Sequence, residues 1–280
     1  MRLESAIKLS LAMQTPEVKH AVPVALLSGT LTEKLSKAAV WGADGVEIMS
    51  SDPDALDVPA LKRSLADARL AAAAVGTGAV AGSTGLTLLH ADAEVRRQAR
   101  MRLYRLIQFA DQVGAPVVTI GAFRGRAAWM GEGAEGELAD GLRAAAELAA
   151  GYGLRLALEP VNRYEVDLIH TVDEGLDFLR RVGHDSLGLL IDTFHANIEE
   201  SDRLDPYRRV LEAGRLFHVH LGDNNRLAPG WGVIDFRAIV ACLRRGGYQG
   251  YLSAELLPRP DPDAAAQQTL RHMREAMGEE

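Results

Sequence analysis

Short apolar, β-branched runs alternate with helix-period segments along almost the whole chain, and no other feature of the sequence constrains the fold as tightly. Strands are predicted at 22–27, 45–49, 70–76, 116–120, 154–159, 187–192, 216–221 and 251–255. Helices are predicted at 31–41, 58–67, 93–113, 137–152, 172–182, 204–213, 236–245 and 263–277. Gly42, Gly114, Gly153, Gly183, Gly214 and Gly246-Gly247 follow helices as stop signals, while Ser28-Gly29-Thr30 and Thr171 precede helices as cap candidates. Strict alternation implies parallel strands joined by right-handed crossovers. Eight such units in 280 residues are the count of a (β/α)8 TIM barrel, expected as one domain over 1–280. A doubly wound dinucleotide-binding sheet would need a tight glycine turn opening a helix. The run Gly76-Thr77-Gly78-Ala79-Val80-Ala81-Gly82 is too widely spaced for that and is read as leading into a loop.

Composition narrows the partners. With 48% apolar but only 5% aromatic residues, the core must be mostly Ala, Leu and Val, which suits helices packed on a parallel sheet. The net charge of −7 gives no electrostatic reason to bind nucleic acid. Arg96-Arg97 and Arg244-Arg245 lie within helical patterns and read as solvated faces. No signal-peptide pattern or 18-residue apolar stretch occurs, so a cytoplasmic protein with no membrane partner is expected. The single Cys242, in the run Ile239-Val240-Ala241-Cys242-Leu243, is expected to be a buried, inert thiol.

The chemistry is written in the second half. Glu159 ends the fifth predicted strand, Asp192 the sixth, His220 the seventh and Glu255 the eighth. In a barrel the C-terminal strand ends form one rim, from which catalytic side chains project. Three carboxylates brought together there would raise one another's pKa, and a divalent cation removes that conflict. Three oxygen donors and one nitrogen favour Mn²⁺, Mg²⁺ or Co²⁺, with Mn²⁺ preferred; zinc is less suited, since no thiolate is available. His218 and His220 are assigned to opposite sides of their strand, with His220 as the ligand at the mouth and His218 as a packed histidine. Glu47 at the end of the second strand is a candidate either for bonding substrate or for capping the next loop.

Three motifs, Glu159-Pro160-Val161-Asn162-Arg163-Tyr164-Glu165, Asp192-Thr193-Phe194-His195-Ala196-Asn197-Ile198-Glu199-Glu200 and His220-Leu221-Gly222-Asp223-Asn224-Asn225-Arg226, resemble the xylose-isomerase-like sugar isomerase/epimerase superfamily, in particular its ketose 3-epimerases of the tagatose/psicose type. The resemblance implies that Glu159, Asp192, His220 and Glu255 bind the metal and that Glu159 and Glu255 double as an acid/base pair. It implies that His195, in the loop after the sixth strand, contacts sugar hydroxyls together with Glu165 and Arg226. A small-molecule sugar or sugar derivative is the implied partner, and a homo-oligomer is left open. Chemically, epimerisation beside a carbonyl needs a proton removed from one face of an enediolate and returned to the other, with a metal neutralising the oxyanion.

One loop departs from the ketose 3-epimerase pattern. Arg124 and Arg126 in Gly121-Ala122-Phe123-Arg124-Gly125-Arg126 suit a carboxylate or phosphate at the mouth, unless the loop is simply solvated. Phe123, Trp129 and Trp231 are candidates for an apolar wall, and the glycine-rich stretches 131–141 and 229–232 for a mobile lid. The same constellation would serve a dehydratase or an aldose–ketose isomerase resembling inosose dehydratase or hydroxypyruvate isomerase, acting on a sugar acid, sugar phosphate or inosose. An enzyme resembling endonuclease IV would need more histidine ligands and a basic face, and a non-catalytic binding barrel would be expected to have lost part of the quartet.

Overall fold

Strand runs such as Gly-Val-Glu-Ile-Met and Leu-Gly-Leu-Leu-Ile-Asp are buried at every position, as happens when a parallel strand is covered on both faces. The computed structural model describes residues 7–278. Eight strands, β1 (Lys8–Gln14), β2 (Gly45–Met49), β3 (Ala71–Gly76), β4 (Val117–Ile120), β5 (Arg155–Leu158), β6 (Leu187–Asp192), β7 (Leu216–Leu221) and β8 (Tyr251–Ala254), pair in sequence order. All the pairings are parallel, and β1 pairs with β8 to close the barrel. The helices are α1 (Leu31–Val40), α2 (Val58–Ala68), α3 (Gly78–Thr84), α4 (Ala93–Val113), α5 (Ala134–Gly151), α6 (Val172–Val182), α7 (Thr193–Glu199), α8 (Asp205–Glu212), α9 (Phe236–Arg245) and α10 (Pro262–Met277). No helix among the described residues is long and apolar enough to cross a membrane. Cys242 is free and buried, as expected.

Three expectations are corrected. The first strand is Lys8–Gln14, not 22–27. Leu9, Leu11 and Met13 alternate along it and are buried, whereas Pro23 interrupts 22–27 and lacks the N–H a ladder needs. That segment instead lies over the end of β1, with Leu26 N–H donating to Ala12 C=O at 2.9 Å. The segment after β3 forms α3 rather than a loop. His195 sits in α7, not in a loop. Both missed helices are seven residues long, too short for a hydrophobic period to announce them.

Two register slips shape the interior, at Val46/Glu47 against β3 and at Leu189/Leu190 against β7. The second pairs Leu189 with Leu216 but Leu190 with His218, and so sets Asp192 beside His220. Without it Asp192 would face Val219, on the other side of the sheet, because a one-residue slip exchanges faces. Beneath the rim, Ala74, Val117, Ala157, Leu190 and Phe217 form a small apolar cluster drawn from β3 to β7. Outside the barrel, helices such as α4 and α5 bury Ala and Leu against the strands, as the composition implies.

Cap chemistry fixes where the helices start. Thr30 and Thr171 each form a full capping box, with Glu33 and Glu174 respectively. Replacing Thr171 by Ala removes the hydroxyl that accepts the Glu174 N–H at 3.2 Å and is expected to cost about 1 kcal/mol. A urea midpoint lowered accordingly would bear this out; an unchanged midpoint would show the cap contributes nothing.

Candidate metal centre

Glu159 immediately follows β5, and its N–H continues the ladder by donating to Ile120 C=O at 3.0 Å. Asp192 closes β6 and is also the N-cap of α7: its Oδ1 accepts Phe194 N–H at 2.7 Å. That leaves Oδ2 for another role. His220 lies in β7, and Glu255 follows β8. One ligand-type atom from each of Glu159, Asp192, His220 and Glu255 lies within 4.8 Å of every other, and all four residues are buried. Gly121 makes room, since a Cβ there would run into Glu159 Oε2.

The donor set fits a divalent cation. Glu159 Oε1, Asp192 Oδ2 and His220 Nδ1 are all buried without a hydrogen-bond partner, a costly condition unless something else binds them. His220 Nδ1 lies 2.6 Å from Glu255 Oε2 and 3.8 Å from Glu159 Oε1, yet the 2.6 Å approach lacks hydrogen-bond alignment. Close approach without alignment suits atoms aimed at a common third point. Burial pushes the Asp192 carboxyl up to about 6. Burial opposes charge on His220 as well, but Glu255 and Glu47 outweigh it and raise its pKa well above the usual histidine range. That shift favours the protonated ring in the metal-free protein, so a metal at Nδ1 competes with a proton.

His218 and His220 do not face opposite sides. Residues two apart on a strand share a face, and both rings point inward, with centroids 5.2 Å apart. Both meet Glu47, which is fully buried in the middle of β2 and caps no loop. His218 Nε2 lies 3.1 Å from Glu47 Oε2, and His220 Nε2 lies 3.0 Å from the same oxygen. The Thr119 hydroxyl donates to Glu47 Oε1 at 3.2 Å. A carboxylate in an otherwise apolar strand run was the available signal for this role.

His195, Glu165 and Arg226 form one network, joined by Asn162, to which sequence reasoning assigned no role. Asn162 Oδ1 accepts Tyr164 N–H at 3.0 Å, so its Nδ2 faces Glu165 Oε1 at 3.1 Å and His195 Nδ1 at 2.7 Å. His195 Nδ1 must then accept, which puts the proton of the neutral ring on Nε2. That nitrogen lies 3.8 Å from Glu159 Oε1 and 3.9 Å from Asp192 Oδ2. Burial lowers the His195 pKa, favouring the neutral ring. Arg226 donates to Glu165 Oε1 at 2.8 Å and stacks over Phe194 at 5.0 Å, while its buried Nε has no partner. Burial works against the charged form of Glu165, but the Arg226 guanidinium and the Asn162 amide hold its carboxyl below the ordinary range.

The mouth loops differ from expectation. Arg124 is fully buried, donating to the carbonyls of Gly121 (3.1 Å), Leu168 (2.9 Å), Ile169 (3.3 Å) and Glu159. It braces the β4 and β5 loops and is spent as an anion ligand. Arg126 donates to Glu165 C=O at 2.8 Å, so no arginine pair faces the mouth. Phe123 belongs to the core, while Trp129 and Trp231 remain partly exposed. Most of 131–141 is the start of α5. The 229–232 stretch is pinned by the buried Asp223, which accepts from the N–H groups of Gly230 (2.9 Å), Gly232 (2.9 Å) and Ile234 (3.0 Å). Neither stretch has the loose backbone of a lid.

A family model described as xylose isomerase-like TIM barrel matches residues 35–276. A ketose 3-epimerase of Arthrobacter globiformis is 32% identical over 77% of this chain and 74% of its own length. An L-ribulose 3-epimerase of Methylomonas sp. (strain DH-1) is 34% identical over 79% of this chain and 76% of its own. A solved structure of an L-ribulose 3-epimerase superposes with a TM-score of 0.77 at 25% identity, covering 97% of this chain and 96% of the other.

The raised Asp192 pKa has a definite stability signature in metal-free protein. A carboxyl that ionises near 4 unfolded and near 6 folded contributes stability below pH 4, and that contribution is lost as pH rises to about 6. Asp192→Asn, which keeps the cap acceptor, should match the wild type below pH 4. Above pH 6 it should be the more stable of the two, by on the order of 3 kcal/mol. Urea midpoints across pH 3.5–7.5, run with chelator, check this; parallel curves would show that Asp192 carries no such penalty.

Proposed function

Since the chain belongs to the xylose isomerase-like TIM barrel family, we propose that it is a divalent-metal-dependent epimerase of free ketoses, acting at the carbon beside the ketone. The observation that carries this reading is the buried quartet, in which two glutamates from β5 and β8 share a centre with partnerless acceptor atoms. Glu159, Asp192, His220 and Glu255 would hold the ion, and their oxygen-rich donor set favours Mn²⁺. When bound, the metal supplies positive charge that offsets the negative charge developing on the ketose oxygens.

The residues divide the proton work. One glutamate, ionised, takes the C3 proton while the C–H electron pair moves toward the ketone oxygen. The other glutamate, entering as the carboxylic acid, returns a proton to C3 from the opposite face. The two end with their protonation states exchanged, and proton exchange with solvent after product leaves, or the reverse reaction, restores them. Neutral His195 offers Nε2–H to a substrate oxygen, and Asn162 holds it in that tautomer. The free Nε–H of Arg226 offers a second donor, with the guanidinium steadied by Glu165 and Phe194. The burial of Arg124 favours a neutral ketose over a sugar acid or sugar phosphate.

The test is incubation of Mn²⁺-loaded protein with D-fructose, D-psicose, D-tagatose and L-ribulose in D2O, followed by proton NMR. One epimer pair should form with loss of the H3 signal and conservation of mass. Loss of water instead would mean a dehydratase, and no exchange on any ketose with Mn²⁺, Mg²⁺ or Co²⁺ would sink the proposal. Glu159→Gln and Glu255→Gln should each lower kcat by about 10²–10⁴-fold. Metal analysis on the same samples should find one ion per wild-type chain and less in His220→Ala.

A further inference from the structure

Glu47 has no place in the chemistry above, yet it is a carboxylate with no exposed surface, set in the barrel interior between two histidines. Its surroundings come from four strands: Glu47 on β2, Thr119 on β4, and His218 and His220 on β7, with Gly76 on β3 close enough that a Cβ there would press on Glu47 Oε1 at 3.1 Å. A bulge in the β2–β3 pairing falls at Val46/Glu47, and bulges re-aim side chains. The position is therefore built rather than incidental.

We infer that Glu47 is a positioning residue for the metal centre, holding His220 by its Nε2–H so that the Nδ1 lone pair faces Glu159, Asp192 and Glu255. The geometry leaves one consistent proton arrangement. His220 Nε2 is 3.0 and 3.2 Å from the two Glu47 oxygens, and an ionised carboxylate only accepts, so that nitrogen carries the proton. A neutral imidazole then has its lone pair on Nδ1, the atom that converges with the carboxylates. His218 Nε2, at 3.1 Å, donates to the same carboxylate, and Thr119 donates to its other oxygen, so Glu47 cannot rotate away. A histidine ligand whose second nitrogen is held by a carboxylate is oriented and made more basic, and loss of such a partner typically weakens metal binding about 10–100-fold.

The inference rests on the metal-centre reading, and calorimetric titration of Mn²⁺ into chelator-stripped protein separates the two. Wild type should bind one ion per chain, and Glu47→Gln should bind it about 10–100-fold more weakly, with its far-ultraviolet circular dichroism unchanged. In a His220→Ala background, Glu47→Gln should change affinity less than about two-fold, since coupled residues lose their separate effects. Equal affinity of wild type and Glu47→Gln would overturn the inference while leaving the centre intact. So would an equal loss in the His220→Ala background, which would mean Glu47 acts through general charge. Two ions per wild-type chain would overturn it by making Glu47, His218 and His220 a second metal site, and no binding by wild type would overturn both readings. Should Glu47→Gln not fold, nitrogen-15 spectra of histidine-labelled wild type with Mg²⁺ decide. A proton on His220 Nε2 supports the inference, and one on Nδ1 rules it out.

Discussion

Three carboxylates and an imidazole buried at one point are the constraint on which the rest of this molecule depends. Glu159, Asp192 and Glu255 are each at most 9% exposed, and ionised groups in such a place repel one another and resist desolvation. The metal-free chain relieves the conflict by proton uptake: Asp192 ionises only near pH 6, and His220 holds a proton between Glu255 and Glu47. A divalent cation offsets that negative charge directly and so lessens the need for proton uptake. Affinity for the ion and pH are thereby linked, because His220 must give up a proton when the metal binds.

The surrounding structure holds that point rigid. Each member of the quartet sits at or beside a strand end, where the backbone ladder already sets its position, and Asp192 is further fixed as a helix cap. Neighbouring side chains hold the residues proposed to meet substrate. Asn162 orients His195, Glu165 and Phe194 hold Arg226, and Asp223 draws three backbone N–H groups into the loop after β7. Arg124 binds the loops after β4 and β5 to each other through carbonyls rather than waiting for an anion. Such preorganisation suits proton transfer, in which donor and acceptor must stand in line before the reaction.

Much of this was legible in the sequence. Seven of the eight strands, and the helices long enough to show a hydrophobic period, fall within a few residues of their predicted places. The short helix carrying His195 and the one after β3 left no such period. The first strand was displaced because Val22-Pro23-Val24-Ala25-Leu26-Leu27 is the more apolar run, though the alternating Lys8–Gln14 is the segment that pairs on both sides. Arg124 stands in the sequence as either an anion ligand or a solvated cation, because sequence shows only that a cation lies in a mouth loop, not whether carbonyls already surround it.

The sequence by itself determined the barrel, most of its elements and four acidic or histidine side chains at strand ends that could hold a metal, because those depend on local periodicity and on which residue types end a strand. Tertiary structure alone decided which side chains meet. The register slip between β6 and β7 puts Asp192 beside His220, and the closure of β2 against β7 across the interior brings Glu47 to both histidines. Face and register are relations between strands distant in sequence, and a shift of one residue reverses them.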